Sequence, residues 1–175
     1  MMKKLFSALL LGALAFNPVA AEEAGEAKVP TYGDWGKVCE QGPKGEDGKS
    51  MGEVCYIFQN VSNKENGKMV MQVRIGIASE KKQPVMIVTL PLGVLIPSGA
   101  AFIMEGSEPL KLPFLACAPE GCTTVGQPLS DAMVGAMKKG DQASVRVALL
   151  NRKVLSLPIS LKGFTRATAA LTAGK

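Results

Sequence analysis

The chain offers few residues from which an enzyme could build an active site. It contains no histidine, so a catalytic triad or a metal site that needs imidazole is excluded. Residues 79–82 match the S-x-x-K pattern, in which Lys82 would activate Ser79 for acyl transfer. The segment joins two predicted strands and precedes Pro84, so a solvated turn is the better interpretation, and a turn does not bury a lysine base. We therefore predict no catalytic residue and no enzymatic activity.

The acidic side chains are not spaced for a metal site. The candidates for paired carboxylates or calcium ligands are Glu105, Glu108, Glu120, Asp131 and Asp141. None of them follows the alternating spacing of a calcium loop. We expect neither a metal ion nor a cofactor.

The four cysteines are the strongest chemical signal. Cys39, Cys55, Cys117 and Cys122 allow three pairings, and an even count in an exported chain favours disulfides. Residues 118–121 read Ala-Pro-Glu-Gly, which suits a type I turn and favours a Cys117–Cys122 pair, leaving Cys39 for Cys55. The alternative is a four-cysteine zinc site, but the spacings lack the short paired knuckles of such sites. No CxxC motif is present, which argues against thiol exchange.

The N-terminus has the features of a secretory leader. Lys3 and Lys4 precede an apolar run at 5–16, and small residues at 19–21 suit cleavage before Glu22. The run is too short to span a bilayer, which needs about 20 residues. We predict a signal peptide at 1–21, a flexible tail at 22–30 and a mature chain without a transmembrane segment.

The charge of the exported chain is too small to indicate a nucleic-acid role, and none is expected. The formal net charge is +5, and loss of Lys3 and Lys4 with the leader lowers it by two, to +3. Basic and acidic residues alternate along the loops without a basic block, as on an ordinary solvated surface.

Periodicity predicts many short strands and little helix. Met69 to Ile77 alternates apolar and other residues with a period of two, and 144–149 and 155–162 do the same around a hairpin at 151–153. Pro158 places its strand at an edge or at a bulge. Further strands are predicted at 32–39, 54–61, 85–90, 100–104, 109–114 and 122–125. Ser130 and Gly140 bound one predicted helix, and a second is predicted at 165–171. This pattern indicates a single β-sandwich domain over 31–175.

Three features are candidates for binding, each with a packing alternative. Asp34 beside Trp35, the only tryptophan, could bind a ligand, but a buried core anchor is favoured. Met69 and Met71 with Met86 could form an adaptable surface, but the alternation favours core packing. Residues 92–104 could expose a partly apolar turn at 97–99 or form a buried hairpin, and the buried hairpin is favoured.

Several segments together resemble one known family. They are 32–35 (Tyr-Gly-Asp-Trp) followed by Cys39, then 91–99, then Pro113 and Phe114 with Cys117 and the Gly121-Cys122 pair, and finally 156–164. In this order they resemble the invasion-associated locus B family over nearly the whole mature chain. The resemblance implies an exported protein of alphaproteobacteria and related Gram-negative bacteria with an immunoglobulin-like β-sandwich. In some pathogenic members it implies a part in entering host cells, notably erythrocytes. It supplies no catalytic residue.

The sequence therefore predicts a disulfide-stapled, non-enzymatic binding protein in the periplasm or cell envelope, with exposure at the outer membrane or secretion left open. Its partner would be a protein of the host-cell surface or of the envelope, and the binding residues and oligomeric state are unknown at this point. The alternative is a periplasmic housekeeping module that binds envelope proteins, peptides or small ligands without host contact.

Overall fold

Two antiparallel β-sheets face each other in the computed structural model, which describes residues 29–42, 44, 48, 50, 52–77 and 83–173. The predicted leader, most of the predicted tail and the S-x-x-K segment at 79–82 lie outside the described residues. The strands are β1 (Thr31–Tyr32), β2 (Trp35–Gln41), β3 (Glu53–Ser62), β4 (Met69–Ile77), β5 (Pro84–Leu90), β6 (Ala100–Ile103), β7 (Leu110–Leu112), β8 (Phe114–Ala118), β9 (Gly121–Thr124), β10 (Gln127–Pro128), β11 (Gln142–Ala148) and β12 (Val154–Ser160). The helices are α1 (Asp131–Lys139) and α2 (Phe164–Thr172), and a short 3-10 turn covers Ile96–Ser98.

The larger sheet is mostly a meander. Its order is β1-β2-β3-β4-β5-β9-β8, and β10 also pairs with β5. The predicted alternation of β4 is present, because Met71, Val73 and Ile75 are buried and the residues between them are half-buried. Each of the three contributes to the core between the sheets.

The smaller sheet has the order β12-β11-β6-β7. Phe102, Val145 and Ile159 point inward and are completely buried. Pro158 lies on the edge strand β12 and pairs with Ser144 of β11, and an edge position suits a proline, which has no N–H donor.

The two helices extend the layer formed by the smaller sheet. Ser130 caps α1 by accepting a hydrogen bond from the Met133 amide at 3.2 Å, and Lys138 and Lys139 lie in its last turn. α2 packs on the inner side of β2, where the Lys37 ammonium donates to the carbonyl of Ala170 at 2.7 Å. Both predicted helices are present.

The predicted fold class is confirmed as an all-β sandwich with two short helices and two disulfides. Two strand predictions differ in detail. The expected strand at 32–39 is divided by a turn at Gly33 and Asp34 into β1 and β2. The expected strand at 109–114 divides into β7 and the start of β8 on either side of Pro113. Proline cannot donate a ladder hydrogen bond, and the chain changes sheets there.

Candidate binding site on the larger sheet

The cysteines lie opposite one another on paired strands. Cys39 and Cys55 are bonded with an S–S distance of 2.04 Å, and Cys117 and Cys122 with 2.08 Å, which are the pairs that the sequence favours. In each case the two residues are direct partners in an antiparallel ladder. Among the described residues, the one group with metal-ligand character is Cys39, Glu53 and Cys55. Both of its sulfurs are held in the disulfide and are not available as thiolate ligands.

Trp35 is a core anchor in the structure. Its side chain is completely buried, its Nε1 donates to the carbonyl of Ser160 at 3.0 Å, and its ring meets Phe164 edge-on at 5.3 Å. The Asp34 carboxylate is exposed and accepts a hydrogen bond from the Ser160 hydroxyl at 2.6 Å. The favoured interpretation is therefore supported for Trp35, which joins the two sheets inside the core. Asp34 lies at the edge of an open depression of about 450 Å³ that Gln59 and Ser160 also line.

The methionines divide between core and surface. Met71 and Met86 are buried, whereas Met69, at the start of β4, is about half exposed. A register irregularity at Val61 and Ser62 lies opposite this end of β4. The expectation that Met69 packs in the core is wrong, because the alternation of β4 loses its cover at the strand end.

The segment 92–104 is partly buried and partly exposed. Val94, Ala100 and Phe102 are buried, but Leu92 and Ile96 are exposed. The expected hairpin is wrong, because Val94 bridges Leu149 and β6 pairs with β11 and β7, so the two halves of the segment do not pair with each other. The second half is a buried strand, while the first half displays apolar side chains at the surface.

The outer side of the larger sheet carries the most distinctive surface. Gly36, Phe58, Arg74 and Ile87 are neighbours across four strands, in one row perpendicular to the chain direction. Val38, Tyr56, Gly76 and Val85 form the next row. We call Tyr56, Phe58, Arg74, Val85 and Ile87 the Arg74 face. All five are half-buried, and α2 packs on the opposite side of the sheet.

Gly36 makes room for the ring of Phe58. A Cβ atom at Gly36 would lie 2.7 Å from the ring of Phe58, so the ring can lie flat only over a glycine. The Phe58 and Tyr56 rings meet edge-on with their centroids 6.4 Å apart. The rings therefore form a fixed platform next to Arg74.

The Arg74 side chain has a buried donor atom without a hydrogen-bond partner among the described residues. Its guanidinium carbon lies 5.9 Å from the centre of the Tyr56 ring, in a cation–π arrangement. Its Nε atom is buried and has no hydrogen-bond partner among the described residues. A buried donor on a charged group without an acceptor costs about 1–3 kcal/mol or more. A cavity of about 330 Å³ opens beside it, with Glu40 and Val54 on its rim.

Such an arrangement is suited to binding. Aromatic rings, an arginine and aliphatic side chains around a small cavity are the residue types that dominate binding energy at protein interfaces. The sequence interpretation did not find this surface. The signal was present in β3 and β5, whose apolar residues occupy both alternating sets, Ile57 with Phe58 and Met86 with Ile87.

The fold and this surface define a disulfide-bonded β-sandwich with an exposed aromatic and apolar sheet face. The family model described as invasion associated locus B (IalB) protein matches residues 35–172, and the chain belongs to that family.

A solved structure supports the fold. The chain resembles the crystal structure of invasion associated protein b from Bartonella henselae with a TM-score of 0.68 and 21% sequence identity. The similarity covers 83% of this chain and 96% of that chain. No curated protein matches the sequence.

The disulfides and the family together indicate an exported envelope protein, because disulfides persist in oxidising compartments. Within the described parts of the chain, neither helix has the length and hydropathy needed to cross a bilayer.

Proposed function

We propose that this protein is a non-enzymatic binding protein of the bacterial envelope that docks a protein partner on its Arg74 face and takes part in host-cell invasion. The observation that carries the proposal is the Arg74 guanidinium, half-buried among aromatic and aliphatic side chains with an unpaired Nε. A partner that brings a carboxylate or carbonyl oxygen to this atom would satisfy it. The same partner would remove the surrounding apolar surface from water.

The location in this proposal follows from the leader and the cysteines. The chain would lose residues 1–21 during export, form both disulfides in the periplasm and reach the cell surface from there. The family and the similarity to a protein named for invasion support host contact as the role.

The test is binding of the purified, exported protein to erythrocytes. We expect saturable binding that the Arg74→Glu substitution weakens at least tenfold, because the loss of a well-packed interface arginine costs about 2 kcal/mol or more. Arg166→Glu is the matched control, since Arg166 lies exposed on α2 and the charge change is the same. Circular dichroism and the unfolding midpoint would show that both variants remain folded.

Two results would contradict the proposal. Equal erythrocyte binding by Arg74→Glu and the wild type would show that the Arg74 face is not the binding site. A complete lack of saturable binding by the wild type would contradict host contact and favour a partner within the envelope.

A further inference from the structure

Exposed aliphatic side chains gather at one end of the sandwich. The side chains of Leu92, Ile96, Leu150 and Val154 are 58%, 44%, 69% and 66% exposed. We call these four residues the apolar tip. Single exposed apolar residues are ordinary on protein surfaces, but a group of them on contacting segments is not.

Backbone hydrogen bonds hold the two segments of the tip together. The Leu150 amide donates to the carbonyl of Gly93 at 2.9 Å, and the Leu95 amide donates to the carbonyl of Ala148 at 2.8 Å. Val94 is buried and forms an antiparallel bridge with Leu149. The tip is therefore fixed by main-chain contacts, and its side chains are displayed without a local conformational change.

The charged side chains of the two segments that form the tip are all positive. Residues 91–99 and 148–156 contain no aspartate or glutamate, and Arg152 and Lys153 lie in the turn between Leu150 and Val154. An open groove of about 880 Å³ begins at Ile96 and Val154 and continues past Arg146 and Lys111. One carboxylate, that of Glu108, lines it.

We propose that the apolar tip docks this protein peripherally on an anionic phospholipid bilayer. The four aliphatic side chains would enter the boundary between headgroups and acyl chains, while Arg152 and Lys153 would remain at the level of the lipid phosphates. Peripheral binding needs both signals, an apolar insertion and an electrostatic attraction, and the tip supplies both on one rigid unit. The inference does not depend on the Arg74 face.

The composition of the tip favours a bilayer over a protein. Protein interfaces concentrate their binding energy in tyrosine, tryptophan and arginine and are depleted in lysine. The tip has four aliphatic side chains and no aromatic residue, and Lys153 lies next to it beside Arg152, so it suits a surface without fixed shape.

Co-sedimentation with vesicles tests this directly. The exported protein, with its processed N-terminus verified by mass spectrometry, should sediment with phosphatidylglycerol–phosphatidylethanolamine vesicles and not with phosphatidylcholine vesicles. The double substitution Leu92→Ser and Leu150→Ser should lower the partition coefficient about tenfold or more, because both side chains lose their apolar transfer energy. The control is Leu115→Ser, which removes a leucine that is 70% exposed on β8, in the larger sheet.

A fluorescence reporter gives an independent reading. Trp35 is buried and supplies a constant background, so Leu150→Trp should show a blue shift of its emission when anionic vesicles are added, whereas Leu115→Trp should not.

Equal sedimentation with both vesicle types, or unchanged sedimentation of the double serine variant, would overturn the proposal. An unshifted Leu150→Trp emission would overturn it as well. So would a dimer in solution that the serine substitutions dissociate without any vesicle binding, because a second copy of the chain would then be the occupant.

Discussion

At the scale of single residues, one buried amide joins the two sheets. The Gln59 side chain donates to the carbonyls of Asp34 and Ser160 at 3.2 and 3.0 Å and accepts from the Ser160 amide at 2.9 Å. Because Ser160 ends the edge strand β12, these bonds also occupy main-chain groups that another strand could otherwise pair with. The Gln59 amide has hydrogen-bond partners for both its nitrogen and its oxygen, whereas the buried Nε of Arg74 has none among the described residues.

A glycine contact beside this amide allows a clear stability prediction. Gly163 has φ = +87°, and a Cβ atom there would overlap the carbonyl oxygen of Tyr32. We expect Gly163→Ala to lower the free energy of unfolding by about 3 kcal/mol, through both backbone strain and the displaced β1. Denaturant unfolding would measure this.

The control for that experiment is Gly135→Ala, in α1. Nothing lies within 4 Å of its Cβ position, so we expect a gain of about 0.5–1 kcal/mol from helix propensity. Equal effects of the two substitutions would contradict the described approach of Gly163 to β1.

At the scale of elements, periodicity predicted most of the structure because one side of most strands is buried. The alternation of Met71, Val73 and Ile75 predicted β4, and the Ser130 cap with Gly140 predicted α1. The strand β8 was only partly predicted, because it is exposed on nearly every residue and has no core pattern to read. The Arg74 face was missed for the opposite reason, since strands that are apolar on both sides carry no alternation.

The two disulfides differ in the length of chain that they close, which predicts different contributions to stability. The Cys39–Cys55 bond closes a separation of 16 residues and the Cys117–Cys122 bond one of 5. Loop-closure entropy gives about 3 kcal/mol for the longer loop and about 2 kcal/mol for the shorter. The double variant Cys39→Ser/Cys55→Ser should therefore lose more unfolding free energy than Cys117→Ser/Cys122→Ser.

Peptide mapping of the exported protein checks the pairing itself. Non-reduced digests analysed by mass spectrometry should contain Cys39 linked to Cys55 and Cys117 linked to Cys122. Crossed pairs, or alkylated thiols before reduction, would contradict the pairing and with it the predicted order of the two double variants.

At the scale of the whole molecule, the side of the larger sheet that packs in the core lies opposite the side proposed to bind a partner. The second layer, formed by the smaller sheet and α2, covers one side of the larger sheet, and the Arg74 face lies on the other. The apolar tip lies at one end of the smaller sheet, where β11 and β12 are joined. A protein docked on a bilayer by this tip would keep the Arg74 face available to a partner.

We propose that this family member acts at the cell surface through binding, and its accessibility on living cells is the decisive measurement. Intact cells and cells with a permeabilised outer membrane would be treated with antibody and with protease, alongside a known periplasmic protein as the control. We expect the protein to be labelled and cleaved on intact cells while the periplasmic control remains protected. Protection of both proteins until permeabilisation would contradict host contact and favour a housekeeping role within the periplasm.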